Sequence, residues 1–249
     1  MRSSVKFGRL PAAIPVGLRF LPHYTAGDLP PAPAKVLVPD PPPSSDSTPW
    51  GMDGNDQYGD CGVAGINHGF MATATISAET ETFPTADQVV SYYLNYTGGQ
   101  DDGVVLSAFL AKVRQFSDGF YGHTISGYAP VAVHDVPTLN FAIWAYGFAY
   151  TGVKVTQAMM DGFQAGKPWE LGDTRSPVLG GHCVPIVGYD SRYLYAVTWG
   201  QVQPISYSAW HYISDEAWAV ITGEFVSKGG DTRGVSLDAL NSDLSKVNT

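Results

Sequence analysis

Cysteine is nearly absent from this chain; only Cys61 and Cys183 occur. Two thiols cannot build a disulfide framework, and with six scattered histidines they fall short of a four-ligand zinc site. Charge is scarce as well, at 15% of residues against about 25% in an ordinary soluble domain. The 14 basic residues stand singly within a net charge of −9. With no Lys/Arg run to neutralise phosphates, nucleic acid and anionic membrane are excluded as direct partners. No apolar stretch approaches the ~20 residues that cross a bilayer. Pro11, Pro15 and Arg19 interrupt the opening segment before the apolar core of a secretory signal can form.

Proline and aromatic residues are plentiful. Residues 1–49 read as an arm, because the run Leu29–Pro43 is proline-dense and favours extended backbone. The arm nevertheless carries Leu18, Phe20, Leu21, Leu29, Val36 and Val38. Burying each large apolar side chain is worth roughly 1.5–3 kcal/mol, so the arm is expected to pack on some surface. That surface is either the chain's own lobes or a neighbouring protein, and assembly through residues 1–49 stays open. A chain this poor in charge and rich in aromatics suits a partner interface or a compact glycine-rich monomer equally well.

The globular part is expected over 50–225, with a C-terminal tail over 226–249. After the turn-rich GMDGNDQYGD comes Cys61–Ser77, with Val63, Ile66, Phe70 and Ala74 on one helical stripe. Further helices are expected from Thr85 (a cap) to Tyr96, over Val105–Phe116 and over Pro137–Ala145. From Ala149 the texture changes to strand-like runs: TGVKV, HCVPIVGYD, LYAVTWG and EAWAVIT. The last three read as neighbours in an antiparallel sheet. Helices followed by strands predict an α+β protein of two lobes with a cleft between them.

Cys61 stands where a polar turn gives way to a helix, the place where the helix dipole and free N–H groups favour thiolate. His182 opens a strand after two glycines that allow close approach. A thiol and an imidazole so placed form the nucleophile and base of a cysteine hydrolase. His68 reads as a core histidine, and Cys183 as a sheet-core thiol on the opposite face from His182. His123, His134 and His211 have no recognisable companions.

At these residues the chain resembles the papain-like cysteine peptidase superfamily. DCGVAG (Asp60–Gly65) is similar to the DCG motif of its bacteriocin-processing members, and GGHCVPIVGYDSRYLYAVTWG (Gly180–Gly200) to the superfamily's His block. TGGQDDGVVLSAFLAKV (Thr97–Val113) resembles the segment between the two blocks. The likeness spans roughly residues 50–222 and points to a bacterial and phage-borne branch. It implies a papain-like two-lobe fold, a peptide or protein substrate, and no metal or organic cofactor. It implies a side-chain amide in the oxyanion hole: Gln57, four residues before Cys61, or Asn55, six before, with Gln57 narrowly favoured. It implies that Thr198 stands where Asn or Asp orients the imidazole, shielded by Trp199. Asp190 and Asp215 are substitutes for that role. A second expectation is the same fold kept as a structural or binding module, cytoplasmic or in a phage particle, docked by its arm.

Overall fold

The computed structural model describes residues 5–41, 48–77 and 82–247; Pro42 and Pro43 of the proline run lie outside them. After a short 3-10 helix at Leu21–Tyr24 come three α-helices: α1 (Cys61–Ser77), α2 (Ala86–Tyr96) and α3 (Leu106–Gln115). The remaining elements are β1 (Ile125–Val131), α4 (Val136–Tyr146), β2 (Ala149–Thr156), α5 (Gln157–Gln164), β3 (Val178–Tyr189), β4 (Tyr193–Thr198), β5 (Gln201–Ser206), α6 (Tyr207–Ile213), β6 (Ser214–Thr222), α7 (Gly223–Ser227) and α8 (Leu237–Leu244). Thr85 caps α2 and shares a capping box with Gln88. Asp135 caps α4, and Gly147 ends it at a φ of 91°, a left-handed position that suits glycine.

The six strands form one antiparallel sheet in the order β1-β6-β2-β3-β4-β5. This corrects the expectation that 216–222 neighbours 194–200. The reason lies in the two residues after β4. Trp199 and Gly200 have φ of 45° and 76°, the twist of a tight two-residue hairpin, so β5 folds straight back onto β4 and takes its free edge. β6 is left to pair with β1 and β2 on the far side.

The apolar stripe expected on α1 is buried at Val63, Ile66 and Phe70. The contact with the sheet is made by a different stripe, Gly62, Gly65 and Gly69. A Cβ on Gly65 would stand 2.8 Å from the Cys183 sulfur, and one on Gly69 would meet three ring atoms of Phe148 at 2.3–2.7 Å. Tyr150, buried on β2, donates its hydroxyl to the Gly62 carbonyl at 2.8 Å. The helix therefore touches β2 and β3 backbone-close, and its first residue is fixed relative to the sheet.

Among the described residues the arm makes no core of its own. Leu18, Leu21 and Tyr24 bury into the common core, and Val36 bridges to Tyr189 beside β3. Arg19 and Tyr24 both bond Asp243 in α8, at 2.7 and 3.2 Å. Residues 237–244 thus form a helix with Leu240 and Leu244 buried, packed on β1.

Gly69→Ala tests the close contact. Helix propensity favours alanine by roughly 0.5–1 kcal/mol, whereas overpacking a tight interior costs about 1–3 kcal/mol. The clash with Phe148 should win and lower the melting temperature by several degrees. An unchanged or raised value would show that α1 does not need this approach.

Candidate active site

Cys61 is the first residue of α1 and is 1% exposed. Its backbone follows a turn in which Asp60 supplies the carbonyl that opens the helix, accepting from Val63 and Ala64 N–H. His182 lies on β3 opposite Val153 of β2. Both side chains line one small cavity of about 10 Å³, close to the lower limit for a single water. Met52, Asn55, Ala64, Gly65, His68, Cys183, Val197, Thr198 and Trp199 complete it.

The imidazole is held from one side. Its Nε2 lies 2.7 Å from Thr198 Oγ1 at the end of β4. With Nε2–H donating to that hydroxyl, Nδ1 carries the free lone pair. Nδ1 is buried with no hydrogen-bond partner among the described residues. Trp199 stacks on the imidazole at 4.4 Å and 16°, a placement its left-handed turn position produces. Neither aspartate considered as a substitute reaches His182: Asp190 closes its own turn to Arg192, Tyr193 and Tyr195, and Asp215 pairs with Arg9.

The amide near Cys61 is Asn55. Gln57 is exposed and faces a surface pocket between the turn and α2, so the preference for Gln57 is corrected. The turn 52–58 coils tightly, with Asn55 N–H bonded to the Met52 carbonyl and Gln57 N–H to the Gly54 carbonyl, and at about three residues per turn residues 55 and 57 face different sides. Asn55 Nδ2 donates to Asp60 Oδ1 at 3.1 Å and to the Tyr58 carbonyl at 3.2 Å. His68 is a satisfied core histidine, bonded to the Gly51 carbonyl and 3.3 Å from Asp53. Cys183 is a buried free thiol of the sheet core, packed under α1 at Gly65, and its residue also borders the cavity.

What sequence reasoning did not foresee is a strand of the arm in the cleft. Lys6 N–H bonds the Asn55 carbonyl. Phe7 packs edge-on against His182 and Trp199. Gly8 accepts from Val104 N–H at 2.8 Å, and Leu10 N–H returns to the Val104 carbonyl at 2.9 Å. On the other side Arg9 N–H bonds the carbonyl of Gly181, next to His182. Gly8 allows no side chain here, since a Cβ would fall 1.6 Å from the Gly59 carbonyl oxygen. A glycine flanked by Phe7 and Arg9 is the one local hint of so tight a passage.

Enclosure sets the electrostatics. Burial pushes the Cys61 thiol up to about 11, against the backbone N–H groups of Cys183 and Gly8, which point at the sulfur and favour thiolate. Burial, helped by the Arg9 charge, pushes His182 down to about 3. Both groups are therefore neutral while the arm lies in place. Asp60 is pushed up to about 8 by burial, opposed by its bond from Asn55.

No family model matches this chain, and no curated protein matches it by sequence. Among solved structures it is similar to xylellain, a cysteine protease from Xylella fastidiosa, with a TM-score of 0.61 and 14% identity over 89% of this chain and 97% of that one. It is also similar to digestive procathepsin L 3 of the Tenebrio molitor larval midgut, with a TM-score of 0.56 and 14% identity over 88% of this chain and 76% of that one. The chain has the α+β papain-like fold of these cysteine proteases.

Asp60 gives a stability signature. Its folded pKa lies above its ordinary 3.8, so its contribution is full below 3.8 and is lost as pH rises to about 8. His182 works oppositely: its contribution is full above 6.5 and is lost as pH falls toward about 3. Between pH 6.5 and 8 only the Asp60 decline remains, on the order of 1 kcal/mol per pH unit. The isosteric Asp60→Asn should flatten the melting temperature across that window. An identical slope in parent and variant would remove Asp60 as its source.

Proposed function

We propose that this chain is a cysteine peptidase-like hydrolase acting on peptide or amide bonds, held closed by its own N-terminal arm. The observation that carries the reading is the single cavity shared by Cys61, at a helix start, and His182, whose Nδ1 is left without a partner.

With the arm lifted, Nδ1 takes the thiol proton as sulfur attacks the substrate carbonyl, and a C–S bond forms. The imidazolium returns that proton to the amine nitrogen as the C–N bond breaks. Water, deprotonated by the same nitrogen, then cleaves the thioester to acid and thiol. Thr198 Oγ1 fixes the tautomer by accepting Nε2–H, yet it brings no charge to stabilise imidazolium, so turnover is slower than with a carboxylate there. The Cys61 N–H and the Asn55 amide, once released from Asp60, serve the oxyanion. No cofactor enters.

The arm escapes cleavage because it turns the wrong group to the nucleophile. Gly8 directs an N–H at the sulfur, while its carbonyl is engaged by Val104.

The competing reading, a papain-fold component of a phage particle docked through its arm, draws on the low charge and the Thr198 hydroxyl. The arm's engagement in its own cleft supports the enzyme.

Gly8→Ala in the full chain separates the two. The Cβ cannot coexist with the Gly59 carbonyl, so the arm must lift. Each ~1.4 kcal/mol of arm affinity lost multiplies the open fraction about tenfold. Iodoacetamide should alkylate Cys61 slowly in the parent and at least about tenfold faster in Gly8→Ala, with an apparent thiol pKa below ~8.5 that His182→Ala abolishes. Hydrolysis of a fluorogenic peptide should appear with it. A folded Gly8→Ala protein with an unreactive Cys61 and no hydrolysis would defeat the enzyme reading.

A further inference from the structure

Arg9 is an unusual occupant for the cleft of a protein with so little charge. Its side chain is 3% exposed, and its guanidinium forks onto two carboxylates, Nη1 to Glu216 Oε1 at 2.9 Å and Nη2 to Asp215 Oδ2 at 2.7 Å. Both acids stand near the start of β6, a strand that is apolar from Ala217 to Ile221. The Glu216 side chain is itself only 1% exposed, and its second oxygen accepts Trp218 Nε1–H at 3.0 Å. The receptor half of the contact is thus fixed by the sheet, independently of the arm.

The space for the side chain is built in. At Gly152 on β2, a Cβ would lie 2.7 Å from Arg9 Cδ and 2.7 Å from Glu216 Cγ. Any other residue at 152 would fill the hole. The backbone that delivers the side chain is held by main-chain groups alone, from Val104 on one side and Gly181 on the other, which any extended peptide can satisfy. Arg9 is one residue from Gly8, the residue at the sulfur. A substrate must present a carbonyl where the arm presents an N–H. A half-turn about the Cα–Cβ axis at position 9 reverses the chain, keeps that side chain in the hole and swings its own N–H and C=O to the Val104 edge, so that the neighbouring residue faces Gly181.

We infer that this hole is a specificity subsite for a guanidinium side chain, so that the open cleft selects peptides with arginine one residue removed from the scissile carbonyl. The inference rests on the hydrolase reading above. When the arm leaves, Glu216 remains as a buried carboxylate without its cation, and a peptide bringing a guanidinium restores the pair. A neutral residue leaves it unpaired, a loss that at buried hydrogen-bonded pairs amounts to a factor of about a hundred or more. Lysine, a single point charge, cannot span both acids as the planar fork does.

Two measurements on the full chain test this. Arg9→Ala empties the hole. Ethylguanidinium, the missing fragment, should then raise its melting temperature, ethylurea should not, and Glu216→Gln added to Arg9→Ala should abolish the rise. Separately, dipeptidyl thiol-reactive ketones with glycine at the reactive end should label Cys61 of Arg9→Ala about a hundredfold faster with arginine than with leucine in the preceding position. Gly8→Ala replaces Arg9→Ala in the labelling if the latter does not fold. Equal or leucine-favoured labelling overturns the subsite while leaving the hydrolase standing. If no probe labels Cys61, the hydrolase reading fails, and the Glu216-dependent guanidinium rescue alone decides whether the hole binds this side chain; its absence overturns the inference.

Discussion

The contact of α1 with β2 and β3, closed by Gly65 against Cys183 and by Gly69 against Phe148, sets the separation at which a thiol on the helix can share a cavity with an imidazole on the strand. One methyl group in that contact would push the helix start outward. Tyr150 fixes the remaining freedom by reaching from β2 to the first turn of α1. The cavity is small because the interface is close-packed, and interiors packed to this density resist displacement. Cys61 and His182 are consequently brought together by the shape of the scaffold.

Much of this was legible in the sequence, for local reasons. Cys61 is marked by the change from turn chemistry to helical spacing, and His182, Thr198 and Trp199 fall within one short hairpin whose strands must pair. Their geometry follows from the antiparallel pairing of β3 with β4, which carries one register shift between Ile186 and Gly188, and from the turn that follows Thr198. Two things were not legible. The position of β6 depends on the left-handed turn at Trp199, an unusual conformation for a bulky residue. The placement of Arg9 depends on two acids more than 200 positions away, which no local pattern reveals. The acids did leave a trace: Asp215 and Glu216 stand near the start of a strand whose residues Ala217 to Ile221 are buried and apolar, and a carboxylate there needs a cation from elsewhere. The choice of Gln57 over Asn55 failed because counting residues along a coiled turn does not say which side chains point inward.

The closed cleft also couples chemistry to position. The charge that anchors the arm is the same charge that disfavours a second cation on His182. Phe7 adds an apolar cover against the imidazole and Trp199. Lifting one strand therefore changes solvation, charge and access together.

The arm is moored at two places, in the cleft by residues 6–10 and in the core by Leu18, Leu21 and Tyr24. Between them runs a short exposed stretch in which Ile14 is 45% and Val16 96% accessible. So short a leash keeps the strand at an effective concentration on the order of millimolar over its groove, whatever the amount of protein in solution. A peptide competing at micromolar levels meets an opponent about a thousandfold more concentrated. Severing the leash replaces that local concentration with the bulk one, and at nanomolar protein the strand is diluted about a millionfold. Dilution then does what no competitor could, and it acts in one direction only.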